Sequence, residues 1–426
     1  MAKIHDHSTG YRILRLYSDF CTYMAYGRTE IVGRENIPQN SAVIFAPNHC
    51  NTLMDAMVVL RARRDATVFG CRADLFRNPL ANKALRYLKI LPMPRVRDGI
   101  REVMGNIKTN AEVVDSITDN VPFCAFPEGT HRPKHSLLPV RKGIVRIAKT
   151  AIDKTSKPIY IVPVGLEYGD YYRFQSTSLV NYGKAIDVTE FFQSHPDLNE
   201  VEIYREVTNI LKESMSQLIT YIPDDEDYDA KWPLIKAIVA PLRGTPKARL
   251  EKNRAAAARV EELWQNETLR GVLREKALAF EADRKACGIS THSFGFKKPV
   301  VRFCFKTLLL LGLLPVALVF AAIGFPMLIM STVLVSKIKD KAFSNSVRYI
   351  SYLALLLPLQ LIWTILGFAA FHLSWIWVLA GIVGLILAFP FVFRYKEAVR
   401  VWISDIKLMS NKKLRRSFDE IRDAVR

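Results

Sequence analysis

The stretch SAVIFAPNHCNTLMDAMVVLRAR, residues 41–63, changes its residue pattern at the centre. Residues 41–47 form a short apolar run of the kind that a buried strand shows, whereas Thr52 to Arg63 has the pattern of a helix. Pro47 biases the residue before it toward extended backbone, which favours a strand up to this point. The sequence therefore predicts a strand that runs into a helix, with His49 in the turn between them.

The same alternation of short apolar runs and helical segments continues through the first half of the chain. It predicts an α/β domain with a largely parallel or mixed sheet flanked by helices. In such domains the functional site tends to lie at the C-terminal ends of the strands. Further strands are expected at residues 66–72, 121–127 and 158–168, and further helices at residues 78–88, 99–117 and 142–152.

Length and composition narrow the class of protein. A chain of 426 residues is long enough for more than one domain. Its 60 Lys and Arg against 41 Asp and Glu, a net charge of +19, indicate an anionic partner such as phospholipid or a phosphorylated substrate. Nucleic acid is not expected, because the basic residues form no motif interleaved with aromatic residues. Six cysteines without a CxxC pair suggest neither a disulfide framework nor a zinc site, and favour a reducing, cytoplasm-facing compartment. No cleaved signal peptide is visible at the N-terminus.

The second half of the chain carries the membrane signal. Residues 307–335, 353–371 and 375–393 contain no charge, and each run reaches the ~20 residues needed to cross ~30 Å of hydrocarbon. We expect the last two to form a transmembrane hairpin rather than buried core helices. We expect the first, interrupted by Pro315 and by Gly324-Phe325-Pro326, to be a re-entrant or broken hairpin, with a single crossing as the alternative.

Basic flanks predict the orientation. Residues 337–348 and 394–426 are net positive, while the turn of the hairpin has no Lys or Arg, so the positive-inside rule places both flanks on the cytoplasmic side. Residues 11–26 have helical apolar spacing, which suits either an interfacial helix or one docked on the α/β domain. We thus expect an N-terminal amphipathic helix, an α/β domain, a charged helical region, a membrane region and a basic cytoplasmic tail at residues 1–29, 30–190, 191–296, 297–395 and 396–426.

His49 and Asp55 are a candidate catalytic pair. Six residues turn an ideal helix by about 600°, so the two side chains would not share a helix face, and His49 must precede the helix. A strand-to-helix turn could then bring imidazole and carboxylate together. The alternative is structural: Asn51 or Thr52 can cap the helix, and Thr52-x-x-Asp55 also resembles a capping box. A nucleophilic role for the adjacent Cys50 is less favoured.

Two further segments suggest a phosphate site. FPEGTHRP (126–133) follows a predicted strand, and its Gly129 would let backbone amides approach an oxyanion or phosphate. LPMPRVRDG (91–99) offers Arg95 and Arg97, whose guanidinium groups bind phosphate through two hydrogen bonds. Together with His49 these residues would bind a phosphorylated alcohol beside a histidine base. Arg141 and Lys142 would contact phosphate groups as well, or simply flank a helix start.

NHCNTLMD, LPMPRVRD, FPEG and IVPVG, in this order, resemble the four blocks of the glycerolipid acyltransferase superfamily over roughly residues 30–190. The usual spacing there is His-x4-Asp, whereas this chain has His49-x5-Asp55. A spacing of five residues resembles the branch of yeast-type glycerol-3-phosphate and dihydroxyacetone-phosphate acyltransferases. That branch also tends to have FPEG followed by His, Arg-Pro and LLP, as this chain does. It has C-terminal hydrophobic segments as well. Many members have Arg directly after FPEGT, where this chain has His131 and then Arg132.

The resemblance implies a glycerol-3-phosphate acyltransferase-like fold and transfer of a fatty acyl group from acyl-CoA or acyl carrier protein, with no metal or other cofactor. His49 would act as the base, held by Asp55, and amides near Gly129 would form an oxyanion hole. The residues expected around the acceptor phosphate are Arg95, Arg97, Glu128, Gly129, Thr130 and Arg132, with Glu128 ordering the loop. The alternatives are acylation of 1-acyl-glycerol 3-phosphate, and a non-catalytic lipid-binding scaffold, which would be expected to have lost His49 or Asp55.

Overall fold

A computed structural model describes residues 3–6, 8–63, 66–93, 100–296 and 298–425. The chain divides into two compact units. The first comprises Met1–Tyr23, Thr29–Tyr171 and Ser178–Ile219. The second comprises Met24–Arg28, Tyr172–Thr177 and Thr220–Arg426.

A mixed sheet organises the α/β part. Its strands, among the described residues, are β1 (Tyr26–Val32), β2 (Ala42–Pro47), β3 (Val68–Arg72), β4 (Ile90–Met93), β5 (Phe123–Cys124), β6 (Ile159–Tyr168), β7 (Ser176–Tyr182) and β8 (Ile186–Asp187). The order is β1-β7-β6-β2-β5-β3-β4, and β8 also pairs with β6. Strand β2 is parallel to β5 and β6, and β3 is parallel to β4 and β5, whereas β7 and β8 run antiparallel to β6. The predicted fold class, α/β with a mixed sheet, is confirmed.

Helices flank this sheet. They are α1 (Thr9–Ala25), α2 (Leu53–Ala62), α3 (Pro79–Tyr87), α4 (Ile100–Thr118), α5 (Gly143–Ile152), α6 (Val188–Ser194) and α7 (Glu200–Gln217). Capping side chains fix where several of these helices begin. The Asn78 side chain accepts hydrogen bonds from two backbone N–H groups in the first turn of α3. Asn199 and Glu202 form a capping box at the start of α7.

Helix α1 packs against the C-terminal end of α2 through an arginine. Its Arg15 Nη2 donates to the carbonyl oxygens of Leu60 and Arg63, at 2.6 and 2.7 Å, where α2 ends. A cation at this end of a helix satisfies carbonyls that have no partner within the helix. Of the two alternatives for residues 11–26, the structure therefore has the docked helix, although Ile13 and Leu16 remain exposed.

Some strands differ from the sequence-based expectation. The strand expected over residues 121–127 is reduced to β5, because Pro122 and Pro127 on either side have no backbone N–H to donate to a ladder. Strand β4, which was not predicted, covers the start of the segment 91–99 that offers Arg95 and Arg97. Strands β1, β7 and β8 were not predicted.

The second unit is helical. Its longer helices are α8 (Tyr228–Val239), α9 (Pro246–Trp264), α10 (Glu267–Ala286), α11 (Pro299–Ile323), α12 (Phe325–Ser336), α13 (Ser344–Ile365), α14 (Trp375–Ser410) and α15 (Lys412–Val425). Helices α8, α9, α10 and α15 share one apolar core, to which α15 contributes Leu414, Phe418, Ile421 and Val425. The boundary that we placed at residue 396 falls inside α14, and the basic segment after it packs as a helix.

Three described segments are long and apolar enough to cross a membrane: Pro299–Ile323, Lys341–Ala370 and Trp375–Ser410. The predicted interruption at Gly324 is present, because α11 ends there and the shorter apolar α12 begins. The interruption expected at Pro315 is wrong, since α11 continues through it. Apolar helices tolerate an internal proline where neighbouring groups satisfy the freed carbonyl. Whether α11 and α12 together return to the same side stays a prediction.

Gly165 in β6 lies against the residue that follows α7. A Cβ added at Gly165 would lie 2.5 Å from the Leu218 carbonyl oxygen, which is too close for any side chain. Gly165→Ala should therefore lower the free energy of unfolding by about 1–3 kcal/mol, as overpacking does in well-packed cores. The matched control is Gly143→Ala, where an added Cβ meets nothing within 4 Å. Chemical denaturation in detergent measures both, and equal stability of the two variants would contradict the packing described.

Candidate active site

Three neighbouring strands bring their C-terminal ends to one edge of the sheet. Strand β2 lies between β5 and β6 and is parallel to both, so the residues that follow each strand meet there. His49 follows β2, Glu128 follows β5, and Tyr168 is the last residue of β6. The predicted position of the site, at the strand C-termini, is where these side chains converge.

The structure brings His49 and Asp55 together. His49 lies in the turn after β2 and Asp55 in the first turn of α2, with 2.8 Å between His49 Nδ1 and Asp55 Oδ2. The Asp55 side chain is fully buried, whereas the His49 side chain retains 18% exposure. The carboxylate is therefore shielded, and the imidazole stays accessible.

Asp55 accepts hydrogen bonds from the whole turn. Besides His49, its Oδ2 accepts the N–H groups of Cys50 and Asn51 at 2.9 and 2.7 Å. Its Oδ1 accepts the hydroxyl of Tyr168 at 2.8 Å. These donors match the acceptor capacity of an ionised carboxylate.

The capping box interpretation of Thr52 and Asp55 is wrong. Thr52 occupies the N-cap position of α2, but its side chain makes no capping hydrogen bond, and Asp55 accepts from residues earlier in the turn. Thr52 also has a φ of 49°, a backbone conformation that is an outlier for a β-branched residue. The turn is thus held by Asp55 in a strained shape, as happens at functional sites.

Asn48 extends the sheet with its side chain. Its Oδ1 accepts the Leu166 N–H at 2.6 Å and its Nδ2 donates to the Leu166 carbonyl at 3.2 Å. The amide thereby takes the place of a further backbone pair between β2 and β6. It fixes the residue before His49 next to the strand that ends in Tyr168.

The backbone of His49 is held from the opposite side. Its N–H donates to Glu128 Oε1 at 2.8 Å, and its carbonyl accepts the Arg132 N–H at 3.0 Å. The imidazole ring stacks on Phe126, with centroids 4.2 Å apart. The segment FPEGTHRP therefore positions the histidine through both its backbone and its ring.

Glu128 joins two loops. Its second carboxylate oxygen, Oε2, accepts the Leu138 N–H at 2.8 Å. Burial raises the pKa of Glu128 to about 7, although the backbone N–H groups of Leu138 and His49 act in the opposite direction. Both oxygens thus face the protein backbone, an arrangement that fits the ordering role expected of this residue.

The glycine-containing turn is closed on itself. Gly129 has a φ of 69°, which glycine adopts without strain, and its N–H donates to the Phe126 carbonyl at 3.1 Å. That amide is therefore already paired and is not a donor for an oxyanion hole. A Cβ at Gly129 would lie 3.0 Å from Arg141 Nε, so Arg141 packs over the turn. The adjacent Thr130 is exposed.

The predicted phosphate-binding cations are placed unequally. Arg132 Nη2 donates to Ser136 Oγ at 2.7 Å, close to the backbone bond that Arg132 makes to His49. Lys142 occupies the N-cap position of α5 and is exposed. Arg95 and Arg97 lie outside the described residues.

Cys50 does not have the character of a nucleophile. The residue is buried, and burial together with the carboxylates of Asp55, Glu167 and Glu128 holds the pKa of its thiol well above the usual range. A reactive cysteine needs the opposite environment, one that stabilises the thiolate. We therefore assign Cys50 to the packing of the turn.

Residues 28–167, which include all of these turns, match the family model named Acyltransferase. The matched residues begin in β1 and end near the C-terminus of β6, and the resemblance drawn from the four sequence blocks is confirmed.

Individual relatives cover parts of the chain. Glycerol-3-phosphate O-acyltransferase 2 of Saccharomyces cerevisiae is 30% identical over 135 residues, which are 30% of this chain and 17% of that protein. The 1-acyl-sn-glycerol-3-phosphate acyltransferase alpha of Mus musculus is 25% identical over 175 residues, 41% of this chain and 57% of that protein. This chain therefore spans less than two thirds of either relative.

Among solved structures, the 1-acyl-sn-glycerophosphate (LPA) acyltransferase of Thermotoga maritima is similar, with a TM-score of 0.36 and 20% identity. The match covers 49% of this chain and 79% of that one.

The buried Glu128 carboxyl predicts a pH-dependent stability. Because its pKa is raised to about 7 in the folded protein, its contribution to stability is fully present below its unfolded pKa near 4.5 and is lost as the pH rises through about 7. Glu128→Gln lacks this titration. The free energy of unfolding of the parent relative to the variant should fall by about 3 kcal/mol between about pH 4.5 and pH 8.

Denaturant titrations across this pH range measure the difference. The control is Glu251→Gln, which changes an exposed glutamate on α9 and should leave the pH dependence of the parent unchanged. A stability difference between the parent and Glu128→Gln that stays constant with pH would contradict the burial argument.

Proposed function

We propose that this protein is a membrane-bound O-acyltransferase that acylates glycerol 3-phosphate or dihydroxyacetone phosphate in the synthesis of phosphatidic acid. The acyl donor is acyl-CoA or acyl carrier protein, and the reaction needs no further cofactor. The proposal rests on the hydrogen bond between His49 and Asp55, inside a domain of the acyltransferase family.

That hydrogen bond determines which nitrogen of His49 serves as the base. An ionised carboxylate can only accept, so the Nδ1 that lies 2.8 Å from Asp55 carries the proton. The lone pair of the neutral ring is then on Nε2. Asp55 also stabilises the positive imidazolium that forms when Nε2 takes a proton.

The proposed reaction is a direct acyl transfer. His49 Nε2 removes the proton from the acceptor hydroxyl, and the oxygen attacks the thioester carbonyl of the donor. A carbon–oxygen bond forms, the carbon–sulfur bond breaks, and His49 returns the proton to the departing thiolate. No covalent intermediate with the enzyme is needed, in keeping with the buried, protonated state of the Cys50 thiol.

The acceptor phosphate is proposed to lie near the segment FPEGTHRP. Arg95, Arg97 and Arg132 supply guanidinium groups in this role, and Arg141 and Lys142 are proposed for the phosphates of the donor. In support, the backbone N–H of Arg132 donates a hydrogen bond to the His49 carbonyl, which places Arg132 close to the base. Arg141 packs over Gly129. Bidentate pairing to arginine would orient the acceptor hydroxyl toward the base.

Two observations favour a water-soluble acceptor over a monoacyl one. The spacing of five residues between His49 and Asp55 resembles that of the glycerol-3-phosphate acyltransferase branch. The yeast relative is named as a glycerol-3-phosphate acyltransferase. The mouse relative, named for 1-acyl-glycerol 3-phosphate, supports the second candidate, in which the acceptor already carries one acyl chain.

The three apolar segments support a location in the membrane. We propose that the acyltransferase domain and the C-terminal residues face the cytoplasm, because the basic segments 337–348 and 394–426 flank the hairpin. The acceptor and donor would then come from the cytoplasm, and the product would enter the adjacent lipid leaflet.

The test is acyl transfer by the purified protein, with glycerol 3-phosphate, dihydroxyacetone phosphate and 1-acyl-glycerol 3-phosphate offered separately. His49→Ala should lower kcat by roughly 10²- to 10⁴-fold, the usual contribution of a general base. His195→Ala, which changes a histidine at the end of α6, should keep the parent rate. Turnover of the monoacyl acceptor alone would move the assignment to the second candidate. Full activity of His49→Ala would refute the mechanism, and no turnover of any acceptor by the parent would favour a non-catalytic scaffold.

Tyr168→Phe tests the support of Asp55 from β6. Without the hydroxyl at 2.8 Å, one oxygen of a buried carboxylate loses its donor, and kcat should fall roughly tenfold with KM little changed. Tyr171→Phe, which alters a hydroxyl bonded to His135, is the matched control and should retain the parent kcat. An unchanged kcat for Tyr168→Phe would show that the tyrosine has no part in positioning Asp55.

A further inference from the structure

The second unit contains a cavity of about 330 Å³ that is separate from the strand-end site. Arg173, His292, Lys306, Arg394 and Glu397 provide its charged or ionisable lining. Three permanent cations thus face one carboxylate. This excess of positive charge indicates an anionic occupant.

The single carboxylate does not neutralise all of the cations. Glu397 pairs with Arg173 at 2.6 Å and also with Arg400 at 2.7 Å. Lys306 pairs at 2.7 Å with Asp405, which lies outside the cavity lining. The remaining cation of the lining, Arg394, therefore keeps its charge for an occupant.

Arg394 and Arg173 also retain unused donors. Among the described residues Arg394 has no ion pair, and Arg173 Nε is buried without a hydrogen-bond partner. A buried N–H group without an acceptor carries a desolvation cost that a ligand oxygen would remove. His292 adds no charge, because burial and the nearby Arg173 and Lys236 lower its pKa to about 4.

The cavity lies where two apolar helices become charged. On α11, Lys306 is the last charged residue before the uncharged run 307–335, and on α14, Arg394 is the first after the run 375–393. In a membrane this transition coincides with the lipid headgroups. The rings of Phe174 and Phe393 line the same cavity and provide apolar surface beside the cations.

We propose that this cavity binds the phosphate group of an anionic phospholipid, with Arg394 and Arg173 as donors and the two phenylalanines against the lipid backbone. Guanidinium groups suit this role because they form charge-assisted bonds to phosphate oxygens. This lipid is neither donor nor acceptor in the proposed acyl transfer, and its binding does not depend on His49.

Retention of lipid by the purified full-length protein in detergent tests the proposal. Phosphatidylglycerol and phosphatidylcholine with identical acyl chains are offered, and bound lipid is counted by native mass spectrometry. Phosphatidylglycerol should bind at one site, at least tenfold more tightly than phosphatidylcholine. Arg394→Gln should weaken its binding at least tenfold.

Lys396→Gln is the matched control. It removes the same charge from an exposed position of α14 two residues away and outside the cavity lining, so it should leave binding unchanged. If Arg394→Gln and Lys396→Gln lost the same affinity for phosphatidylglycerol, the binding would reflect general attraction between a basic protein and an anionic lipid. That result would overturn the proposal. Equal affinity for both lipids would do the same.

A gain of binding separates the effect from misfolding. Glu397→Gln removes the carboxylate from the lining and frees Arg173, so phosphatidylglycerol should bind several-fold more tightly. Weaker binding by this variant, at an unchanged elution volume, would overturn the proposal. A final measurement offers inorganic phosphate to the parent protein. If phosphate bound as tightly as phosphatidylglycerol, the cavity would be a site for free phosphate instead of lipid. None of these measurements uses turnover, so failure here and failure of the acyl-transfer proposal are distinguishable.

Discussion

The buried carboxylate of Asp55 is the interaction on which the site depends. A charge taken out of water is costly unless donors surround it, and here they come from the imidazole of His49, two backbone amides of the turn and the hydroxyl of Tyr168. The tyrosine belongs to β6, so the carboxylate is satisfied only when β6 lies beside β2. One residue therefore links the pairing of β2 with β6 to the orientation of the His49 ring.

The turn that carries His49 is held from two sides. Asp55 draws the amides of Cys50 and Asn51 inward, and Glu128 and Arg132 hold the backbone of His49 itself. The positive φ of Thr52 costs on the order of 1–3 kcal/mol, which these hydrogen bonds can offset. A side-chain cap is not needed at this helix, because the carboxylate in its first turn binds the amides that precede it.

The sequence-based prediction succeeded where the signal was local. Strands β2 and β6, helices α2, α4 and α5, and the placement of His49 ahead of its helix all follow from short-range pattern, and each lies within a few residues of its expected bounds. The bonds from Tyr168 to Asp55 and from Asn48 to Leu166 depend on which strands are neighbours, and no short segment reports that. The buried face of α15 had a signal, Leu414, Phe418, Ile421 and Val425 at helical spacing, which the charge of KKLRR obscured.

Two carboxylates touch the same histidine, and their surroundings give them different tasks. Asp55 contacts the ring at Nδ1, whereas Glu128 contacts the backbone N–H and holds the residue in position. Burial brings the titration of Glu128 close to neutral pH. A protonated carboxyl has a donor where the carboxylate had an acceptor, so it cannot accept both the His49 and the Leu138 amides equally well. The backbone position of His49 is thus linked to the protonation of Glu128, a buried group that contacts both the turn after β2 and the loop at Leu138.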